Sequence, residues 1–241
     1  MKPFFFGDSA RPLLGLHHPP TGAPARRWSV VLCNPFGQEY LRAHRSLREL
    51  AHRLAQGGFH VLRFDYYGCG DSAGESDEGS LAQWQADIEA AVDEVREAAG
   101  TPRVALVGLR LGATLAALVA ERRADLDHLV LWDPILDGAA YLRELKAADE
   151  SWLREHAHRE VARGEGPPAE ALGFPVAAPL AASLGGVRLD PGRWPAAHVL
   201  VVDHRAYAGA PVWVHDDGFE RALVPHAALE AITSWLGTAC A

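Results

Sequence analysis

The sequence is poor in the residues that staple small proteins together or hold metals. Its three cysteines, Cys33, Cys69 and Cys240, are odd in number and far apart, with no C-x-x-C pair. That excludes a disulfide framework and a cysteine-based zinc or redox centre. The twelve histidines are dispersed: His17-His18 and His156-x-His158 are the closest pairs, and no H-E-x-x-H completes a ligand set. No metal and no other cofactor is therefore expected. Positive charge is also in short supply. With 23 basic against 31 acidic residues and a net charge of -8, no stripe is expected that could neutralise a phosphate backbone, so nucleic acid is not an expected partner. Long apolar runs are missing too. In MKPFFFGDSARPLL, Gly7, Asp8 and Arg11 interrupt the phenylalanines well short of a signal h-region or a spanning helix. A cytoplasmic protein without membrane contact is the expectation.

What is present is enough apolar material for one core. At 241 residues and 49% hydrophobic content, a single domain over 1–241 is expected. Short Val/Leu-rich runs alternate with longer amphipathic stretches. The runs are WSVVLCN at 28–34, FHVLRFD at 59–65, RVALVG at 103–108, HLVLWD at 128–133 and HVLVVD at 198–203. This pattern predicts an α/β fold, a mostly parallel, doubly wound sheet covered by helices on both faces. Helical spacing links Leu47, Leu50, Ala51, Leu54 and Ala55, and again Leu81, Trp84, Ile88, Val92 and Val95. Ser80 and Gln83 stand as a capping box for the second of these helices, which should stop before Gly100 and Pro102. Further helices are predicted from Leu111 through Val119 and from Leu229 through Trp235. From about 141 to 195 the rhythm breaks into a charged helical stretch and then GFPVAAPLAASLGG, read as a small cap insertion.

The stretch RVALVGLRLGATLAAL carries the chemical question. Gly108 and Gly112 are spaced as in a G-x-S-x-G nucleophile elbow, a tight turn between a buried strand and a helix, but the position of the serine is Arg110. A guanidinium does not release its proton in a protein, so Arg110 cannot be a nucleophile. Beside backbone N–H groups at a helix start it would instead make a site for a carboxylate, an enolate or a polarised carbonyl. Alternatively it pairs internally, with Glu39 or with the strand-end Asp133 or Asp203, and plugs the turn. Cys69 and Ser72, in the glycine-rich loop after the second run, are weak substitutes because neither sits on an elbow. Cys33 reads as a small core hydrophobe.

With CNPFGQE, DYYGCGDSAG, GLRLGA and a histidine before the last helix, the chain resembles the α/β-hydrolase superfamily in its serine-aminopeptidase-like branch. It is similar in particular to exosortase-associated hydrolases, which share the NPFGQEY, FDYYG-x-GDS and GLR wording. The resemblance implies an α/β-hydrolase fold and an oxyanion pair made by the N–H groups of Phe36 and Leu111. It also implies His226 as the proton-transfer residue, oriented by Asp203 or by Asp133. Glu39 lies in the oxyanion loop, as a candidate partner for Arg110.

Without an elbow hydroxyl, acyl-enzyme hydrolysis is not expected. Two N–H groups and a cation around a carbonyl favour the enolate formed when an alpha proton leaves. The expected function is therefore non-hydrolytic proton transfer (epimerisation, isomerisation or cyclisation) on a small-molecule or peptide substrate. Nucleophile-free relatives in the superfamily act as peptide epimerases in ribosomal-peptide tailoring. Two alternatives remain: a non-catalytic binding or scaffold protein, and a hydrolase whose water is activated by His226.

Overall fold

The computed structural model describes residues 1–156, 166–203 and 224–241. Five strands arise where the apolar runs predict them: β3 (Trp28–Cys33), β4 (His60–Phe64), β5 (Arg103–Leu109), β6 (His128–Trp132) and β9 (His198–Val202). Ahead of them lie β1 (Lys2–Phe6) and β2 (Leu13–His18), an antiparallel pair that the sequence pattern does not announce. All seven join one sheet in the order β1-β2-β4-β3-β5-β6-β9. β2 meets β4 antiparallel, and every pairing from β4 to β9 is parallel. Pro3 is tolerated in β1 because that strand forms the sheet edge.

The helices are α1 (Gln38–Gln56), α2 (Leu81–Ala99), α3 (Leu111–Ala120), α4 (Gly138–His156), α5 (Ala178–Gly185) and α6 (His226–Ala239). α1 packs with α6, and α2 with α3, so the sheet is covered on both faces. α2 begins as its sequence suggests: Ser80 Oγ accepts from the Gln83 N–H at 3.2 Å. The reciprocal half of the box is not made, because the Gln83 amide bonds Asp87 instead. Gly100 ends the helix in a left-handed conformation. α3 is buried on nearly every side, which explains why its sequence is almost uniformly apolar.

The insertion between β6 and β9 carries α4, a two-stranded ribbon of β7 (Glu170–Ala171) and β8 (Phe174–Pro175), and α5. Its helix starts at Gly138, slightly ahead of the expected cap boundary; residues 157–165 of that stretch lie outside the described residues. β3 leads through α1 to β4 on one side, while β5 and β6 lie on its other side. The chain thus reverses direction across the sheet at the β3/β5 junction, and such a switch point opens a crevice at the carboxyl ends of the strands. The elbow and the Asn34–Gly37 loop both sit there.

Candidate active site

Arg110 occupies the turn between β5 and α3 with φ 53° and ψ -119°, a left-handed region in which a residue with a side chain is strained. The turn is held by its own backbone. The Arg110 N–H donates to the Trp132 carbonyl at 2.8 Å, and its carbonyl accepts from Ala113 at 3.0 Å. The flanking glycines are required by packing alone. A Cβ at Gly108 would collide with the backbone of Gly112 and Ala113, and one at Gly112 with the carbonyl oxygens of Cys33 and Asn34. Retention of these glycines therefore reports on how β5 and α3 meet, not on chemistry at position 110.

The guanidinium is paired within the protein. Its Nε donates to Glu39 Oε1 at 2.7 Å and its Nη2 to Glu144 Oε1 at 2.6 Å, while Tyr141 OH donates to the second Glu39 oxygen at 2.8 Å. The cation also lies 5.3 Å from the centre of the Tyr141 ring. Glu39, in the first turn of α1, is 1% exposed, whereas Glu144 on α4 is 49% exposed. Burial pushes the Glu39 carboxyl above its usual range against the pull of Arg110. Burial works against the Arg110 charge, but Glu39, Tyr141 and Glu144 outweigh it and raise its pKa. Of the two sequence readings, internal pairing with Glu39 is the one this geometry displays. Tyr141 and Glu144 were not foreseen. They share one face of α4 at i, i+3 spacing, but nothing in the sequence says that this face turns toward the elbow.

Phe36 and Leu111 do come together. Both line a crevice of about 10 Å³ with Asn34, Pro35, Tyr66, Cys69, Trp84 and Leu115. Asn34 Nδ2 donates to the Phe64 carbonyl at 2.6 Å and pins this loop to the end of β4. Leu111 opens α3, where first-turn N–H groups have no intrahelical acceptor. Neither the Phe36 nor the Leu111 N–H meets an acceptor among the described residues. Tyr66 is buried, and its hydroxyl makes no well-formed hydrogen bond among them, its polar neighbour there being the Cys33 thiol.

The proton-transfer residues of the family pattern are not brought to this crevice. His226 is the exposed first residue of α6, and its Nδ1 lies 2.9 Å from Arg53 Nη2. Arg53 stands fourteen residues beyond Glu39 on α1, about 21 Å along the axis at 1.5 Å per residue. The docking of α6 along α1 thus separates His226 from the elbow. Asp203 is exposed just beyond β9. Asp133 is buried at the end of β6 with φ 48°, its N–H bonded to the Val202 carbonyl at 2.8 Å.

The substitute nucleophiles are occupied elsewhere. Ser72 Oγ accepts from the Leu14 N–H at 2.9 Å and donates to the Asp65 carbonyl at 2.6 Å. Burial, with Asp65 beside it, pushes the Cys69 thiol up to about 12, and burial raises Cys33 as well. Both thiols are thus protonated and poorly nucleophilic at neutral pH. Among the described residues no group of three or more His, Cys, Asp or Glu could hold a metal ion, and no helix is long and apolar enough to cross a membrane.

Residues 24–167 match the family model for serine aminopeptidase, S33. The match spans more than half of the chain, and the chain belongs to that family, within the α/β-hydrolase fold. Solved structures share the fold at low identity. Est1E from Butyrivibrio proteoclasticus, bound to ferulic acid, has a TM-score of 0.63 at 15% identity, with 98% of this chain and 100% of Est1E covered. The bottromycin epimerase BotH, in complex with bottromycin A2, has a TM-score of 0.57 at 20% identity, with both chains covered in full. A hypothetical protein from Pseudomonas aeruginosa has a TM-score of 0.58 at 16% identity over 84% of this chain and 76% of its own. No curated protein matches.

Proposed function

We propose that this family member is not a serine hydrolase but holds a carbonyl group of a small molecule or peptide at the elbow and catalyses proton transfer on carbon. One observation carries the reading. Phe36 and Leu111 line one crevice and their N–H groups lack acceptors among the described residues, while the residue beside them is an arginine that cannot be acylated. Such a pair stabilises an enolate as well as it does a tetrahedral oxyanion. The fold of BotH supports the reading to the extent that an epimerase is built on the same architecture. Epimerisation, isomerisation and cyclisation all fit this chemistry.

With His226 at Arg53, the proton acceptor proposed at the elbow is Glu144, the half-exposed partner of Arg110. Its carboxylate would accept the alpha proton of a bound ligand. The crevice, at about 10 Å³, holds no more than one water-sized sphere, so its walls must open for a ligand to enter. A second reading, binding without catalysis, is favoured by the double pairing of Arg110, which closes the elbow with protein groups.

The test is incubation of the protein in D2O with a panel of N-acetyl dipeptide amides and esters, followed by mass spectrometry. Proton transfer predicts deuterium at one alpha carbon with the acyl bonds intact, and its loss in Glu144→Gln. Saturable binding without exchange anywhere in the panel supports the second reading. Ester cleavage with an acyl-enzyme burst overturns both.

A further inference from the structure

A second concave site lies away from the elbow and is built, among the described residues, from three separate parts of the chain. α1 contributes Arg45, Arg48, Glu49 and His52; Met1 ahead of β1 and His18 at the end of β2 contribute a second wall; the entry to α6 contributes Val224 and His226. Together they enclose about 730 Å³, within the range of small-molecule sites.

Among its described lining residues, the charge of this site opposes that of the chain. The protein carries a net charge of -8, yet the one carboxylate among these lining residues, Glu49, is already bound to Arg53 at 2.8 Å. Arg45 and Arg48 make no ion pair among the described residues. Behind the wall lies Arg63 of β4, only 4% exposed. Its Nε reaches His18 Nε2 at 3.4 Å and its Nη2 the Met1 sulfur at 3.9 Å, and both of those residues line the cavity. Asp65 attracts Arg63 through space, but Asp65 itself accepts from Tyr40 OH at 2.8 Å. A buried guanidinium normally finds a carboxylate at hydrogen-bond distance. Here its bonded neighbours are an imidazole and a thioether, and the surrounding pocket adds further cationic and imidazole groups.

We infer that this cavity is a binding site for a small polyanion, a phosphorylated or polycarboxylate compound seated between Arg45, Arg48 and the imidazoles of His52 and His226. Two arginines on successive turns of one helix face match a compact di- or trianion, because each guanidinium can donate in parallel to two oxygens. Met1 and Val224 give the ligand's carbon portion an apolar wall. This assignment is independent of the reaction proposed at the elbow. It also gives His226 a place in a site other than the one its position in the chain suggests.

Isothermal titration with inorganic pyrophosphate and with citrate tests the inference on the full chain, with Arg45→Gln/Arg48→Gln as the comparison. Both arginines are exposed, so the variant should keep its fold, which circular dichroism verifies; His52→Gln serves as a second variant. Saturable binding is expected, weakened at least about tenfold in the double variant, the loss of one charge-assisted hydrogen bond or more. It should also weaken as salt rises. Absence of saturation by either anion, or equal affinity in the double variant, overturns it. A parallel arm uses vesicles containing phosphatidylglycerol. Binding to vesicles without binding of either free anion also overturns the pocket, and assigns the basic face to a lipid surface.

Discussion

Arg110 and Glu39 form a 2.7 Å ion pair in which the carboxylate is 1% exposed and the guanidinium side chain 11%. Removing one partner of such a pair strands the other. Arg110→Met should lower stability by about 3–5 kcal/mol, with Glu39 taking up a proton to relieve part of the cost. Arg110→Met/Glu39→Met should recover much of the loss. Urea unfolding of the two variants and the parent decides the matter; a single variant as stable as the parent would show that the pair contributes nothing.

Returning a serine to the elbow should not create a hydrolase. Arg110→Ser restores a hydroxyl, but it leaves Glu39 buried without its cation, and the histidine of the family pattern, His226, is held at Arg53 and not beside the new oxygen. Both proteins should resist fluorophosphonate labelling and show no burst with p-nitrophenyl acetate. Stoichiometric labelling of Arg110→Ser would mean that a base does reach the turn.

How far the sequence alone carries depends on whether a feature is local or tertiary. The five parallel strands, the capped start of α2 and the turn at Arg110 were legible because each is written in consecutive residues. β1 was not: Lys-Pro-Phe-Phe-Phe has no alternation, and its place follows from an edge pairing with β2. The match of Phe36 with Leu111 was legible because both flank the switch point of a recognisable fold. The position of His226 was not, because it depends on how α6 lies along α1. The roles of Tyr141 and Glu144 depend in the same way on which face of α4 turns inward.

Tyr66 carries a buried hydroxyl with no well-formed hydrogen bond among the described residues, its polar neighbour there being the Cys33 thiol. Leaving such a group unsatisfied costs about 1–3 kcal/mol, so Tyr66→Phe should melt no lower than the parent and should gain stability where the cost is fully relieved. A clear fall in Tm would reveal an acceptor that binds the phenol. If ligand exchange at the elbow is found, the same variant tests whether the hydroxyl serves the bound carbonyl.

His18 makes stability depend on acid. Burial, followed by the nearby Arg63, lowers its pKa from 6.5 to about 4. As pH falls through 6.5 the unfolded chain takes up this proton before the folded chain does, so stability is full above 6.5 and declines toward pH 4. Burial likewise lowers His17, His44 and His60, and each adds to the same slope. His18→Gln should flatten the fall in urea midpoint between pH 6.5 and 4. An unchanged profile would assign the slope to the other histidines or to carboxylates.

The close approach of β5 to α3 has a consequence for substitution at the elbow. Gly108 and Gly112 are fixed because backbone passes against backbone there, and this constraint is indifferent to which side chain stands between them. The elbow therefore behaves as a socket. The glycine spacing is set by how β5 meets α3, whereas a new residue at position 110 must still answer to the buried Glu39 carboxylate.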